Sequence, residues 1–325
     1  MKLTIVLKKE PKNKMDNVII EITYACPNKC SGTCYASKDG IHMTLEQFQT
    51  IIGKLPPINI SISGGEPFVN PFIKEMMQAY KNRFNRKVNV VTSGVVKINI
   101  KEYEDLIDTL YITTKYADLT YDSLWKDSLI KDAKENVAKL LSDAKETTIN
   151  KILIFSADKV NYNEISKISR LARDYNAKVH VTRFLPYNQI SRKIALSNLQ
   201  WEKFASLVKL KLKLDNVDFV FPTIFCPIQK KKRTFSYDLC IAGINRMKIG
   251  VDGSVNGCIY LGKQNNIGNI LNEGFFEIQN KLEEWRKKYM FETTGKFFKK
   301  KNKLVGCIAL RQLMTEDQNL IQVRI

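Results

Sequence analysis

No apolar run in this chain reaches the ~20 residues that a membrane span needs. No targeting segment opens it, so the expectation is a soluble, cytoplasmic protein. A Cys-x-x-Cys pair, the usual spacing of a structural zinc site, is also missing. A secreted disulfide framework does not suit a chain of 325 residues without a signal peptide. In a reducing compartment its seven cysteines point to metal instead. Positive charge is abundant: 52 Lys and Arg stand against 33 Asp and Glu, a net charge of +19. Such a balance attracts nucleic acid, an acidic peptide or an anionic small molecule, or else marks a lysine-rich solvated surface. Two stretches concentrate it, Lys230-Lys231-Lys232-Arg233 and Lys299-Lys300-Lys301. Hydrophobic residues, 44% of the chain, suffice for a packed core.

Three cysteines, Cys26, Cys30 and Cys34, fall within nine residues. They follow Val18-Ile19-Ile20-Glu21-Ile22-Thr23, an apolar β-branched run that reads as a buried strand. Pro27, Asn28, Ser31 and Gly32 make the cysteine segment a loop. Thiolates select iron–sulfur clusters, zinc or copper(I). Three thiolates on a four-iron cubane would leave one iron open to a small molecule. The other four cysteines, Cys226, Cys240, Cys258 and Cys307, lie in the last hundred residues. Three plus four fits one open cluster and one fully ligated cluster.

Further along, Thr44 and Gln47 form a capping box that starts a helix running to about residue 54. The run 58–63 reads as a strand and leads into Gly64-Gly65-Glu66-Pro67. The rhythm repeats: helix 71–83, strand 88–92, helix 101–108, strand 110–114, helix 123–146, strand 152–155, helix 163–175, strand 178–183. Residues 2–7 alternate like an edge strand. Six strands alternating with helices mark parallel βαβ units and predict an α/β fold, an open (β/α)6 partial barrel. Chemistry then sits at the carboxyl ends of the strands, where the cysteine loop and residues 64–67 both fall. After a helix at 201–213 and a strand at 217–221, residues 246–258 read as a β-hairpin turning at Asp252-Gly253. A helical tail, 275–289, precedes Cys307. The domain boundary is placed near 197, giving domains 1–197 and 198–325.

Cys26-Pro-Asn-Lys-Cys30 followed by Cys34-Tyr35-Ala36 resembles the cluster loop of radical S-adenosylmethionine (radical SAM) enzymes. It departs from the family pattern by one extra residue between Cys30 and Cys34, which Gly32 can absorb in a tight bend. Gly64-Gly65-Glu66-Pro67, directly after the second strand, is similar to the family motif that contacts the methionyl amino group. Thr92-Ser93-Gly94 stands where the family often has Thr-Asn-Gly. The resemblance implies that Cys26, Cys30 and Cys34 hold a 4Fe–4S cluster and that Tyr35, Gly64, Gly65, Glu66, Pro67, Thr92, Ser93, Thr113 and Arg183 bind S-adenosylmethionine. Turn chemistry and capping account equally well for Thr92, Ser93 and Thr113, and a surface salt bridge for Arg183.

Cys240-Ile-Ala-Gly243, then Gly253 and Cys258, resembles the opening half of the SPASM/twitch extension of peptide-modifying radical SAM enzymes. The dense second half of SPASM is absent. The implied version carries one auxiliary 4Fe–4S cluster on Cys226, Cys240, Cys258 and Cys307. For Cys226 and Cys307, buried small apolar side chains are the alternative. Ile259 stands where sulfatase-maturing relatives carry an acidic residue, which argues against that activity.

The resemblance implies one-electron cleavage of S-adenosylmethionine to a 5′-deoxyadenosyl radical, which takes hydrogen from a substrate. It further implies an electron donor such as flavodoxin or ferredoxin. The preferred substrate is a ribosomally made peptide or protein, whose acidic leader the basic surface would suit. A twitch-type enzyme acting on a small molecule or nucleotide is the alternative. An RNA-binding iron–sulfur protein is suggested by charge alone, and a salt titration against tRNA separates it. The catalytic base is not assigned; Tyr24, Lys115 and Tyr116 are candidates near the strand mouths.

Overall fold

A computed structural model describes residues 15–28, 40–114, 132–184, 193–215, 217–220, 242–243, 245–260 and 265–298. The strands are β1 (Asn17–Thr23), β2 (Asn59–Gly64), β3 (Val88–Thr92), β4 (Ile107–Thr113), β5 (Asn150–Ala157), β6 (Lys178–Arg183), β7 (Phe219–Val220), β8 (Arg246–Ile249), β9 (Ser254–Asn256) and β10 (Gly268–Asn269). The helices are α1 (Leu45–Lys54), α2 (Ile73–Phe84), α3 (Ala133–Lys145), α4 (Ile165–Asp174), α5 (Asn198–Leu214) and α6 (Phe275–Phe298). All the strands join one sheet in the order β10-β9-β8-β1-β2-β3-β4-β5-β6-β7. From β8 to β7 every neighbouring pair is parallel. Among the described residues, no helix is long and apolar enough to cross a membrane.

The side-chain period of two divides the sheet into unlike faces. One carries Val18, Ile20, Ile22, Ile60, Ile62, Val90, Leu110, Ile112, Leu153, Phe155, Val179, Val181 and Ile249, nearly all without solvent exposure. The helices cover this face, and each such side chain contributes about 1.5–3 kcal/mol by burial. The opposite face carries Asn17, Glu21, Ser61, Ser63, Asn89, Tyr111, Thr113, Ser156, His180, Thr182, Arg246 and Lys248, which the ladder registers hold on one side. This inner face also carries the half-buried Ile19, Val91, Ile152 and Ile154, but polar residues outnumber them, so the main core lies on the helix-covered face.

The run of parallel strands from β8 to β7 does not close on itself, which agrees with the open partial barrel expected from the sequence.

One connection differs in kind from the sequence reading, and the tail helix runs on to Phe298 past the expected 289. Residues 101–108 are not a helix; a single 3-10 turn, Ile100–Tyr103, connects β3 to β4. Ile107 and Thr109 are taken by the ladder with β3, which leaves too little chain for α-helix. The strand expected at 217–221 is real, and it extends the barrel sheet by pairing with β6. The Thr44 capping box and the hairpin turning at Gly253, with φ +80°, are present as expected. Residues 2–7 and the first part of the helix expected at 123–146 lie outside the described residues.

Candidate active site

The cysteine loop grows from a pinned base. The Tyr24 amide donates to the Ile41 carbonyl at 2.8 Å and the Met43 amide to the Ile22 carbonyl at 2.8 Å, so the chain returns antiparallel beside the end of β1. Thr23 Oγ1 lies 2.9 Å from His42 Nδ1 and accepts from the Ala25 amide at 3.0 Å. Buried Asn70 fastens both limbs: its Nδ2 donates to the Ile22 carbonyl at 2.7 Å and to the Met43 carbonyl at 3.1 Å. Cys26, partly exposed, is the first residue of the cysteine triad beyond this base.

The turn after β2 lies directly against that limb. The Gly65 amide donates to the Thr23 carbonyl at 2.7 Å and the Glu66 amide to the Ala25 carbonyl at 2.9 Å. A Cβ on Gly64 would stand 2.2 Å from the Thr23 oxygen, and one on Gly65 would stand 2.2 Å from the Ala25 oxygen. Gly64 also holds φ +143°, which a side chain disfavours. The two glycines are therefore required by the cysteine limb itself. Pro67 opens a 3-10 turn, Pro67–Val69, where a missing amide hydrogen costs nothing.

Glu66 carries the junction to β3. Its fully buried carboxylate accepts from Thr92 Oγ1 at 2.6 Å, the Ser93 amide at 2.9 Å, Ser93 Oγ at 2.5 Å and the Phe68 amide at 3.4 Å. Burial pushes this carboxyl up, and the hydrogen bonds from Ser93 and Thr92 pull it back down. Thr92 Oγ1 accepts in turn from the Gly94 amide at 2.9 Å. Gly94 packs against Val137 and Leu140 of α3. The structure thus brings Gly64, Gly65, Glu66, Pro67, Thr92 and Ser93 to one mouth beside Cys26.

The remaining predicted residues fall elsewhere. Thr113 ends β4 on the inner face, half-buried. Arg183 ends β6 on the face of Val181, and its Nη2 donates to the Leu196 carbonyl at 2.5 Å. Cys258 is buried just past β9. Cys30, Cys34, Tyr35, Cys226, Cys240 and Cys307 lie outside the described residues, as do Lys115, Tyr116 and both basic stretches.

The C-terminal hairpin is fastened to the mouth by residues whose roles the sequence did not disclose. Tyr24, buried, accepts from the Val251 amide through its hydroxyl at 3.3 Å. Lys248 on β8 pairs with Glu21 on β1 at 3.3 Å, and both are buried. Desolvation pushes Glu21 up, Lys248 opposes it, and nearby Asp252 adds to it. The signal for this pair was Glu21 itself, one carboxylate inside an otherwise apolar strand. On α6, Trp285 lies against Gly243 and Gly257, where a Cβ would meet its ring at 3.1 and 2.5 Å. Arg286 Nη1 donates to the Ala242 carbonyl at 2.8 Å. The tail helix thereby braces the segments that adjoin Cys240 and Cys258.

The open parallel sheet, with Cys26 just beyond the end of its first strand, has the partial-barrel fold of several solved structures. SuiB of Streptococcus suis bound to precursor peptide SuiA has this fold, with a TM-score of 0.67 at 15% identity over 82% of this chain and 65% of SuiB. The chain therefore spans just under two thirds of that protein. The protein anSMEcpe with bound AdoMet matches with a TM-score of 0.62 at 15% identity, over 83% of this chain and 82% of its own. Its complex with AdoMet and the Kp18Cys peptide matches with a TM-score of 0.61. No protein-family model matches the chain, and no curated protein matches it by sequence.

Proposed function

We propose that this chain is a radical SAM enzyme that modifies a ribosomally made peptide or protein. The observation that carries the reading is the single mouth. Gly65 and Glu66 are hydrogen-bonded to the limb that leads into Cys26, and Glu66 holds Thr92 and Ser93 beside them. The turn 64–67 and the limb that leads into Cys26 are thus one hydrogen-bonded unit.

The residues suit the group they would hold. Cys26 is partly exposed at the mouth, and backbone carbonyls there can accept from an ammonium. Cys26, Cys30 and Cys34 would ligate a 4Fe–4S cluster, with S-adenosylmethionine placed along residues 64–67. When bound, the pair supplies one-electron cleavage of the sulfonium carbon–sulfur bond. The protein's share is positional. Asn70 and Thr23 fix the loop base, and Glu66 fixes the turn. Cys258, with Cys226, Cys240 and Cys307, would hold the auxiliary cluster. Among the solved structures of this fold, SuiB with its precursor peptide and anSMEcpe with its Kp18Cys peptide favour a peptide substrate. Flavodoxin or ferredoxin would donate the electron, in the cytoplasm.

The test is anaerobic reconstitution with iron, sulfide, a reductant and S-adenosylmethionine. Wild-type protein is expected to release 5′-deoxyadenosine, and the variant with Cys26, Cys30 and Cys34 all changed to Ala is expected to release none. Equal rates would overturn the reading. Mass spectrometry of short peptides encoded beside the gene then identifies the substrate.

A further inference from the structure

Helix α5 has two apolar faces, and the core takes only one of them. Trp201, Phe204, Ala205, Val208 and Leu212 recur at helical spacing and are buried in the core. On the opposite side, Leu207, Leu210 and Leu214 are 68%, 58% and 74% exposed. They follow one another at intervals of three and four residues, so they form a single ridge along the outer face. Scattered surface leucines need no explanation, but a contiguous ridge of them marks an interaction surface.

The ridge has a basic border. Lys203 stands one turn before Leu207 on the same face, and Lys211 and Lys213 flank the ridge on either side. Lys209 is a fourth cation on the helix. The carboxylates of the segment are Glu202 and Asp215, and Asp215 is held by Lys211 at 2.9 Å and by Ser169 Oγ at 2.6 Å. Neighbouring α4 carries Lys167, Arg170 and Arg173 against Glu164 and Asp174, and Asp218 pairs with Lys178 at 3.5 Å. The balance along the ridge is therefore positive. Its upper end lies on the mouth side of the sheet. Arg183, at the end of β6, donates to the Leu196 carbonyl just before α5. Tyr162, in the connection after β5, is exposed and packs edge-on against Phe204 of α5, with 6.4 Å between ring centroids.

We propose that the outer face of α5 docks an acidic amphipathic helix of the peptide or protein substrate, outside the part that is modified. This rests on the peptide-modifying reading and adds a recognition surface to it. The observations select that occupant over two others. The ridge is the narrow seam of helix–helix pairing, because the wider apolar face that a membrane surface would take is spent on the core. A second copy of this chain would bring lysine against lysine along the seam, and three leucines expose far less than the ~800 Å² per partner of a stable interface. A helix with apolar residues at matching spacing and Asp or Glu beside them satisfies both the leucines and the lysines.

The test uses the full-length chain and measures binding, not S-adenosylmethionine cleavage. The probe is a fluorescein-labelled helical peptide of about three heptads, with Leu at a and d and Glu at e and g. One control carries Lys at e and g, and the other has the same Leu and Glu in scrambled order. The expected result, read by fluorescence anisotropy, is saturable binding of the Leu/Glu peptide and much weaker binding of both controls. Changing Leu207 and Leu210 together to Ser should weaken binding roughly 10- to 100-fold. Both side chains are exposed, so the melting temperature of this variant should match that of the wild type. Lys203→Glu with Lys213→Glu should move the preference towards the Lys peptide. Undiminished binding by the leucine variant, or equal binding of the scrambled peptide, would overturn the docking surface. Wild-type protein that sediments as a dimer while the leucine variant is monomeric would overturn it too, and give the ridge to a second copy. Leucine-dependent binding to phosphatidylglycerol vesicles, without binding of the peptide, would overturn it in favour of a membrane. With a substrate peptide in hand, the leucine variant should raise KM and leave kcat unchanged. Failure of the wild type to form 5′-deoxyadenosine would overturn the enzymatic reading and leave the docking result standing.

Discussion

Glu66 has four acceptor positions and four donors: the Phe68 amide, Thr92 Oγ1, the Ser93 amide and Ser93 Oγ. Glu66→Gln would turn two of those positions into N–H donors aimed at other donors. Each hydrogen bond to a charged group contributes about 1.5–3 kcal/mol, so the variant should lose at least that much stability. Chemical denaturation measures it, and an unchanged midpoint would show that the bonds do not hold the mouth. The sequence pointed to Gly64, Gly65, Glu66 and Pro67 as a cofactor turn, and the turn lies against the limb that leads into Cys26. It did not disclose that the carboxylate is spent on Thr92 and Ser93, because 26 residues separate Glu66 from Thr92. Asn70 was illegible for a related reason. An Asn in a Pro- and Gly-containing turn reads as local turn chemistry, and its two long-range carbonyl partners exist only in the fold.

At the scale of elements, the strands were easier to read than their connections. Buried β-branched runs such as 18–23 and 178–183 can satisfy only a sheet face covered by helices, and β6 has the expected bounds. The connection 101–108 misled: its end belongs to β4, whose Ile107 and Thr109 pair with β3, and only the 3-10 turn Ile100–Tyr103 stands where a helix was expected. The hairpin β8–β9 was legible from Asp252-Gly253, but not its docking onto β1. That docking depends on Tyr24, which the sequence offered as a candidate base. Its hydroxyl accepts from the Val251 amide, so its position is set by the hairpin. Tyr24→Phe removes this acceptor while keeping the ring, at a cost of about 0.5–1.5 kcal/mol. Hydrogen exchange of residues 250–256 should accelerate in the variant, while that of β4 and β5 should not change. Exchange that is unaffected at the turn would mean that β8 pairing alone holds the hairpin.

For the whole molecule, the decisive feature is that the C-terminal strands continue the barrel sheet. β8 pairs with β1 from Asn17 to Ile20, upstream of the cysteine loop, and Trp285 and Arg286 brace the segments beside Cys240 and Cys258. None of these contacts uses Cys26, Cys30 or Cys34. The auxiliary site should therefore assemble without the first cluster. If Cys226, Cys240, Cys258 and Cys307 hold a full cubane, reconstituted wild-type protein carries about eight irons per chain, and the variant lacking the three loop cysteines keeps about four. Iron and sulfide assays with electron paramagnetic resonance count them. One cluster in the wild type, with none left in the variant, would remove the auxiliary site and return Cys258 to the core as a small apolar side chain. A retained cluster whose spectrum changes on adding small ligands would mean that only three thiolates reach it. Its open iron would then favour an enzyme acting on a small molecule over a peptide-modifying one.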